Sequence, residues 1–140
     1  MHFHSSEQIK FHVKQIRKTK NWIKELIQSY HKQLGDINYI FQSDEELLEL
    51  NKSALNHDYY TDIITFDYCD DTTISGDLFI SIDRVKENAL NFAVPFEHEL
   101  RRVMAHGVLH LLGHKDKSES DSKKMRSAED KALDLFQSFT

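Results

Sequence analysis

Asp62-Ile63-Ile64-Thr65-Phe66-Asp67-Tyr68-Cys69, followed after a short polar stretch by Gly76-Asp77-Leu78-Phe79-Ile80-Ser81-Ile82, decides the fold. Ile64, Phe66 and Tyr68 alternate with Ile63, Thr65 and Asp67, and Leu78, Ile80 and Ile82 alternate with Phe79 and Ser81. A period of two is the mark of a strand with unlike faces, and the intervening Asp70-Asp71-Thr72-Thr73 predicts an antiparallel hairpin. Towards the N-terminus, Ser43 with Glu46 three residues on is a capping box, opening a helix that runs to about Leu55. Ile37 to Phe41 reads as a strand. Trp22, Ile23, Leu26, Ile27 and Tyr30 fall at helical spacing between about Lys18 and Gln33, with Gly35 as the stop, and Ile9 to Val13 alternates like a short strand. Towards the C-terminus the pattern turns helical after Asp83 to about Phe92. Pro95 restarts the chain, and helices follow over Phe96–Leu112 and roughly Ser120–Phe136. Strands early and helices late, without regular βαβ alternation, predict an α+β fold: a small mixed sheet packed against several helices.

At 140 residues and 39% apolar composition, 1–140 is expected to be a single domain with one core. No apolar run approaches the ~18–20 residues of a transmembrane helix, and the N-terminus has no signal-peptide pattern, so a cytoplasmic protein is expected. The lone Cys69 excludes an internal disulfide framework or a cysteine-based zinc ribbon. The net charge of −5 is uneven. Residues 1–34 carry seven Lys/Arg (Lys10, Lys14, Arg17, Lys18, Lys20, Lys24, Lys32) against Glu7 and Glu25. Such a segment suits nucleic-acid contact, although a solvated helix face has the same composition.

The chemistry lies in His106-Gly107-Val108-Leu109-His110-Leu111-Leu112-Gly113-His114-Lys115-Asp116. Stepping by about 100° per residue puts Leu100, Met104, Val108 and Leu111 in one apolar stripe. His106 and His110 fall together at its edge, close enough to share a metal. His114 continues the series but would lie about 12 Å along the axis from His106, too far for a common ion. Gly113 reads instead as the left-handed residue that ends the helix, and the turn brings Asp116 back to the histidine pair. His106, His110 and Asp116 are therefore the expected ligands, spaced as in the metzincin zinc motif, whose third ligand is histidine. Gly107 stands where a zinc protease of this type needs glutamate, which disfavours peptide hydrolysis. A glycine inside a helix costs about 1 kcal/mol against alanine, so close approach of backbone or substrate is expected there.

His106–Asp116 resembles the signature of the YbeY family of metal-dependent endoribonucleases, also described as ribosomal RNA maturation factors. The resemblance extends from about residue 47 to 135. Leu50-Asn51 with Asp58 and Thr61-Asp62-Ile63-Ile64-Thr65-Phe66 is similar to one block of the family, and Ser75-Gly76-Asp77-Leu78-Phe79-Ile80-Ser81 to a second. Glu99-Leu100 through Gly113 is similar to the metal-site helix, and Met125-Arg126-Ser127-Ala128-Glu129 to the closing helix. Two positions depart from the pattern. Asp116 stands where the family usually has a histidine ligand, a harder and anionic donor that broadens metal choice from zinc towards manganese or magnesium. Leu55 stands where the family usually carries an arginine; His57, two residues on, is the candidate substitute for contacting phosphate or protonating a leaving oxygen, or else an ordinary loop histidine.

The resemblance implies a single-strand-specific, zinc-dependent endoribonuclease. It would act in ribosomal RNA maturation at the small-subunit 3′ end and in ribosome quality control, with RNA, and the ribosome or its proteins, as partners. The basic N-terminal segment would track the RNA backbone. Two other functions are compatible with these residues: a non-catalytic assembly factor stabilised by its metal, favoured by Leu55, or another metallohydrolase lacking the protease glutamate.

Overall fold

The two alternating runs pair as antiparallel strands, with Ile63 opposite Ile80 and Asp67 opposite Gly76. They belong to a computed structural model that describes residues 1–139. In chain order the elements are β1 (His2–Ser5), α1 (Ile16–Gln28), β2 (Gln33–Gln42), α2 (Asp44–Leu55), β3 (Ile63–Asp67), β4 (Thr73–Ser81), α3 (Ile82–Asn91), α4 (Phe96–Leu111) and α5 (Glu119–Ser138). The four strands form one sheet in the order β1-β2-β4-β3. β2 runs parallel to β1 and to β4, while β3 is the antiparallel edge. The fold is the α+β arrangement of a small mixed sheet and several helices.

Alternation sorts the sheet's faces. Ile37, Tyr39 and Phe41 of β2 and Leu78 and Ile80 of β4 are fully buried. α4 lies over this face with Leu100, Met104 and Val108 inward, as the apolar stripe predicts, and Tyr39 Oη donates to the Met104 carbonyl at 2.9 Å. α1 and α5 close the far side of the core, where Trp22 Nε1 donates to the Ala132 carbonyl at 2.7 Å and its ring meets Phe136 edge-on. Both buried polar atoms are thus satisfied inside the core.

Two sequence expectations need correction. Residues 9–13 are not a strand; the first strand is His2–Ser5, paired with Asn38–Phe41. Ile9, Phe11 and Val13 do pack on the core, and the Phe11 ring meets Phe41 and Phe96 edge-on, so burial alternates. Lys10, however, takes a positive φ of 45°, which breaks any extended ladder. α1 runs from Ile16 to Gln28, with His31 in the left-handed conformation, rather than on to about Gln33 with Gly35 as its stop. Gly35 lies inside β2 beside an irregular register with β4, where an added Cβ would sit 2.2 Å from Ser75 Oγ. The capping box is as expected: Ser43 Oγ accepts from the Glu46 amide, and the Glu46 carboxylate accepts from the Ser43 amide.

Two glycines set how closely α4 sits on the hairpin. A Cβ on Gly107 would lie 2.3 Å from Leu78 Cδ2 and 2.7 Å from Ile63 Cδ1. Of the two reasons expected for this glycine, the structure shows the first, helix backbone against sheet. A Cβ on Gly76 would lie 2.5 Å from the Phe66 carbonyl oxygen and 3.2 Å from the Leu111 side chain. That carbonyl cannot rotate away as a side chain can. Gly76→Ala should therefore cost about 1–3 kcal/mol in urea unfolding, the range for overpacking. Stability equal to wild type would show that β3 and β4 separate freely at this point.

Candidate metal centre

α4 ends in a paired-hydrogen-bond turn. The Gly113 amide donates to the His110 carbonyl at 3.0 Å and the His114 amide to the Leu109 carbonyl at 2.9 Å, with Gly113 at φ +105°. This is a Schellman motif, and only glycine adopts that φ without strain. The chain doubles back, so that Asp116 Oδ2 lies 3.4 Å from His106 Nε2 and 3.5 Å from His110 Nε2. The three donor atoms fall within 4.8 Å of one another. His114 is directed elsewhere: its Nε2 is 2.8 Å from Tyr30 Oη, at the end of α1. Burial and the His110 charge lower the His114 pKa.

Two neutral imidazoles and a carboxylate suit a divalent cation of the first transition row, and they leave one side open. The open side is a cleft of about 610 Å³. α4 supplies one wall with His106, His110 and Leu111, β3 supplies Ile63, Ile64, Thr65 and Asp67, and the end of α2 and the segment after it supply Leu55, His57, Tyr59 and Thr61. A smaller hollow of about 170 Å³, which includes Arg126, adjoins His106 and Asp116 on the α5 side.

Behind the donors is a buried charge network that sequence reading did not anticipate. His106 Nδ1 lies 2.7 Å from Glu129 Oε2 on α5, leaving Nε2 towards the centre. Arg102, one turn before His106, donates through Nε and Nη2 to both oxygens of Glu99 and through Nη1 to Glu129 Oε1 at 3.2 Å. Its Nη2 also lies 3.6 Å from Asp62 Oδ2. Burial alone would raise the Glu129 pKa, yet His106 and Arg102 outweigh it and hold the carboxyl below its ordinary value. For Arg102, burial works against the charge, but Glu99 and Glu129 more than offset this and raise its pKa. Burial dominates at Asp62, raising its pKa despite Arg102 and His106. A ligand histidine bonded through its other nitrogen to a carboxylate is held in tautomer and orientation. The sequence signal for Glu129 was its place in the closing helix of the resemblance; nothing in the spacing assigned it a partner.

His57 does line the cleft, but its Nδ1 is 3.0 Å from Tyr59 Oη and the two rings stack. Leu55 lines it too. The basic N-terminal segment does not. Lys14 reaches Glu97 at the opposite end of α4, Lys18 sits over the Phe136 ring and Lys20 over Phe3. Among the described residues, Lys117 is the cation on the main cleft wall.

The family model for endoribonuclease YbeY matches residues 3–137. The chain belongs to the YbeY family. Curated relatives carrying the name endoribonuclease YbeY include one from Phocaeicola vulgatus, 53% identical over 86% of this chain and 87% of its own. Another, from Flavobacterium psychrophilum, is 53% identical over 92% of both chains. The fold is similar to the solution structure of a Thermotoga maritima protein at a TM-score of 0.68 and 28% identity, covering 97% of this chain and 89% of the other.

Removing any one donor should empty the centre. His106→Ala, His110→Ala and Asp116→Ala should each lose most bound metal by elemental analysis, while His114→Ala keeps it. Glu129→Gln should fold and bind, but about 10- to 100-fold more weakly in chelator competition. Metal lost from His114→Ala and kept by Asp116→Ala would overturn the assignment.

Proposed function

We propose that residues 1–140 act as one unit, a cytoplasmic, metal-dependent endoribonuclease that cuts single-stranded RNA during ribosomal RNA maturation. Its site in that RNA would be the small-subunit 3′ end, with a role in ribosome quality control. The observation that carries this reading is the convergence of His106, His110 and Asp116 on the wall of a cleft lined also by Lys117. Family membership supports it, since the relatives bear the name endoribonuclease. His106, His110 and Asp116 would hold one zinc ion, with manganese or magnesium admitted by the aspartate. When bound, such an ion supplies Lewis-acid polarisation of a phosphoryl oxygen and acidifies water.

The chain's own residues do the rest. Glu129 holds the His106 ring with Nε2 forward, and Arg102 holds Glu129. Lys117 in the cleft and Arg126 in the adjoining hollow are placed to contact phosphates on either side of the centre. His57, with Nδ1 engaged by Tyr59, presents Nε2 as the atom that would bond a phosphate or protonate a leaving oxygen. The position after His106, where a zinc protease of this type carries its glutamate, is Gly107, packed against Leu78 and Ile63.

One observation favours a second reading, a metal-stabilised assembly factor that holds RNA without cutting it. Leu55, at the position of the family's usual arginine, lines the cleft and is 42% exposed, so no guanidinium occupies that place. Incubating metal-loaded protein with a single-stranded RNA and its duplex separates the two. The single strand should be cut and the duplex spared, with the rate falling at least 100-fold in His110→Ala. RNA bound but uncut by wild type, under every divalent metal tried, would leave the assembly-factor reading.

A further inference from the structure

The segment after α2, which lines the cleft, carries a feature that metal chemistry does not use. Tyr59 is 56% exposed, and it lines the same cleft as His106, His110 and Asp116. The His57 ring stacks on it with centroids 5.2 Å apart and planes 21° from parallel, and Tyr59 Oη bonds His57 Nδ1. One face of the tyrosine is thus supported, and its remaining exposure leaves the other face for a ligand.

The segment bearing this pair is held from below. α2 ends at Asn56 in the left-handed conformation, and the His57 amide donates to the Asn51 carbonyl at 3.0 Å. The Asn51 side chain is almost wholly buried and its Nδ2 donates to the Tyr59 carbonyl at 2.9 Å. Lys52 pairs with Asp58 at 3.5 Å. Both ends of the short run are therefore tied to α2, and the ring is placed before any ligand arrives. Neighbouring Tyr60 is unlike it, with its hydroxyl on Glu45 and its ring under the Arg84 guanidinium.

We propose that the Tyr59–His57 pair is a stacking platform for one unpaired nucleobase of the RNA strand in the cleft, and that it selects single strands over duplexes. This rests on the RNA-cleaving reading above. An unpaired base presents an open π-face, whereas a base inside a duplex is covered on both sides by its neighbours. A rigid aromatic ring beside a cation that reaches phosphates is the common device for single strands, and it tolerates any sequence because every base has a π-face. Lys117, which lines the same cleft, supplies the cation. Leu55 adds apolar surface to the same cleft, where a charged side chain would favour phosphate over base.

Binding of a labelled 12-nucleotide single-stranded RNA and of a hairpin duplex to metal-loaded protein, followed by fluorescence anisotropy at 4 °C with a gel of each end point confirming intact RNA, tests this. Tyr59→Ala should weaken single-strand binding between about 5- and 150-fold, the span for one stacked base. Its duplex binding should stay within about 2-fold, so that the preference collapses. Tyr59→Phe, which keeps the ring and loses the hydroxyl bond to His57, should stay within about 3-fold of wild type. Tyr59→Ala should also retain full metal stoichiometry and an unchanged circular dichroism spectrum. Single-strand binding by Tyr59→Ala equal to wild type, or a loss shared equally by the duplex, would overturn the platform. Wild-type protein that binds neither RNA would overturn the functional reading itself, and the platform with it.

Discussion

The approach of α4 to the β3–β4 hairpin is the constraint on which the structure depends. It is permitted by missing side chains: Gly107 admits Leu78 and Ile63, and Gly76 admits the Leu111 side chain. Interiors at crystal-like density tolerate no compromise at such a contact. Because α4 lies this close, His106 and His110 emerge at the sheet edge and not above its centre, and the antiparallel β3 becomes the floor of the cleft. The same helix carries the charges that steady the donors. Arg102 and His106, one turn apart, meet Glu129 together, so α5 is docked by its contact with the site as well as by its apolar face.

Burying Arg102, Glu99 and Glu129 in one network is costly by itself, and replacing such clusters with apolar residues often stabilises proteins. Its presence here is accounted for by what it fixes. Glu129 determines which His106 nitrogen faces the cleft, and His106 and Arg102 together hold that carboxyl below its ordinary pKa. The first turn of α5 contributes at the backbone too, as Ser122 Oγ donates to the Asp116 carbonyl at 3.3 Å. Asp116 is thus placed from two sides, by the glycine turn before it and by the helix after it.

Much of this was legible in the residues, and the boundary is a physical one. Local signals read correctly. The 2-residue alternation of β3 and β4, the Ser43–Glu46 capping box, the stripe of α4 and the left-handed stop at Gly113 all depend on neighbours within a few positions. Asp116 could be placed with the histidines because a helix end has few geometries. What escaped depends on distant partners. His2–Ser5 is a strand because β2 offers it an edge, while the equally alternating Ile9–Val13 packs on the core irregularly. α1 stops at Gln28 because the chain must enter β2, and a left-handed His31 serves where glycine was expected. The bond from Glu129 to His106 spans 23 residues, and no spacing rule reports it.

The central claim is that two imidazoles and the Asp116 carboxylate converge on one ion, with His114 excluded by the turn at Gly113. X-ray absorption on protein loaded with one equivalent of zinc reads the donor set without mutation. A single shell of nitrogen and oxygen at about 2.0–2.1 Å, with outer-shell scattering from two imidazoles and no sulfur, is expected. Scattering from three imidazoles, or a sulfur shell near about 2.3 Å from Cys69, would contradict it.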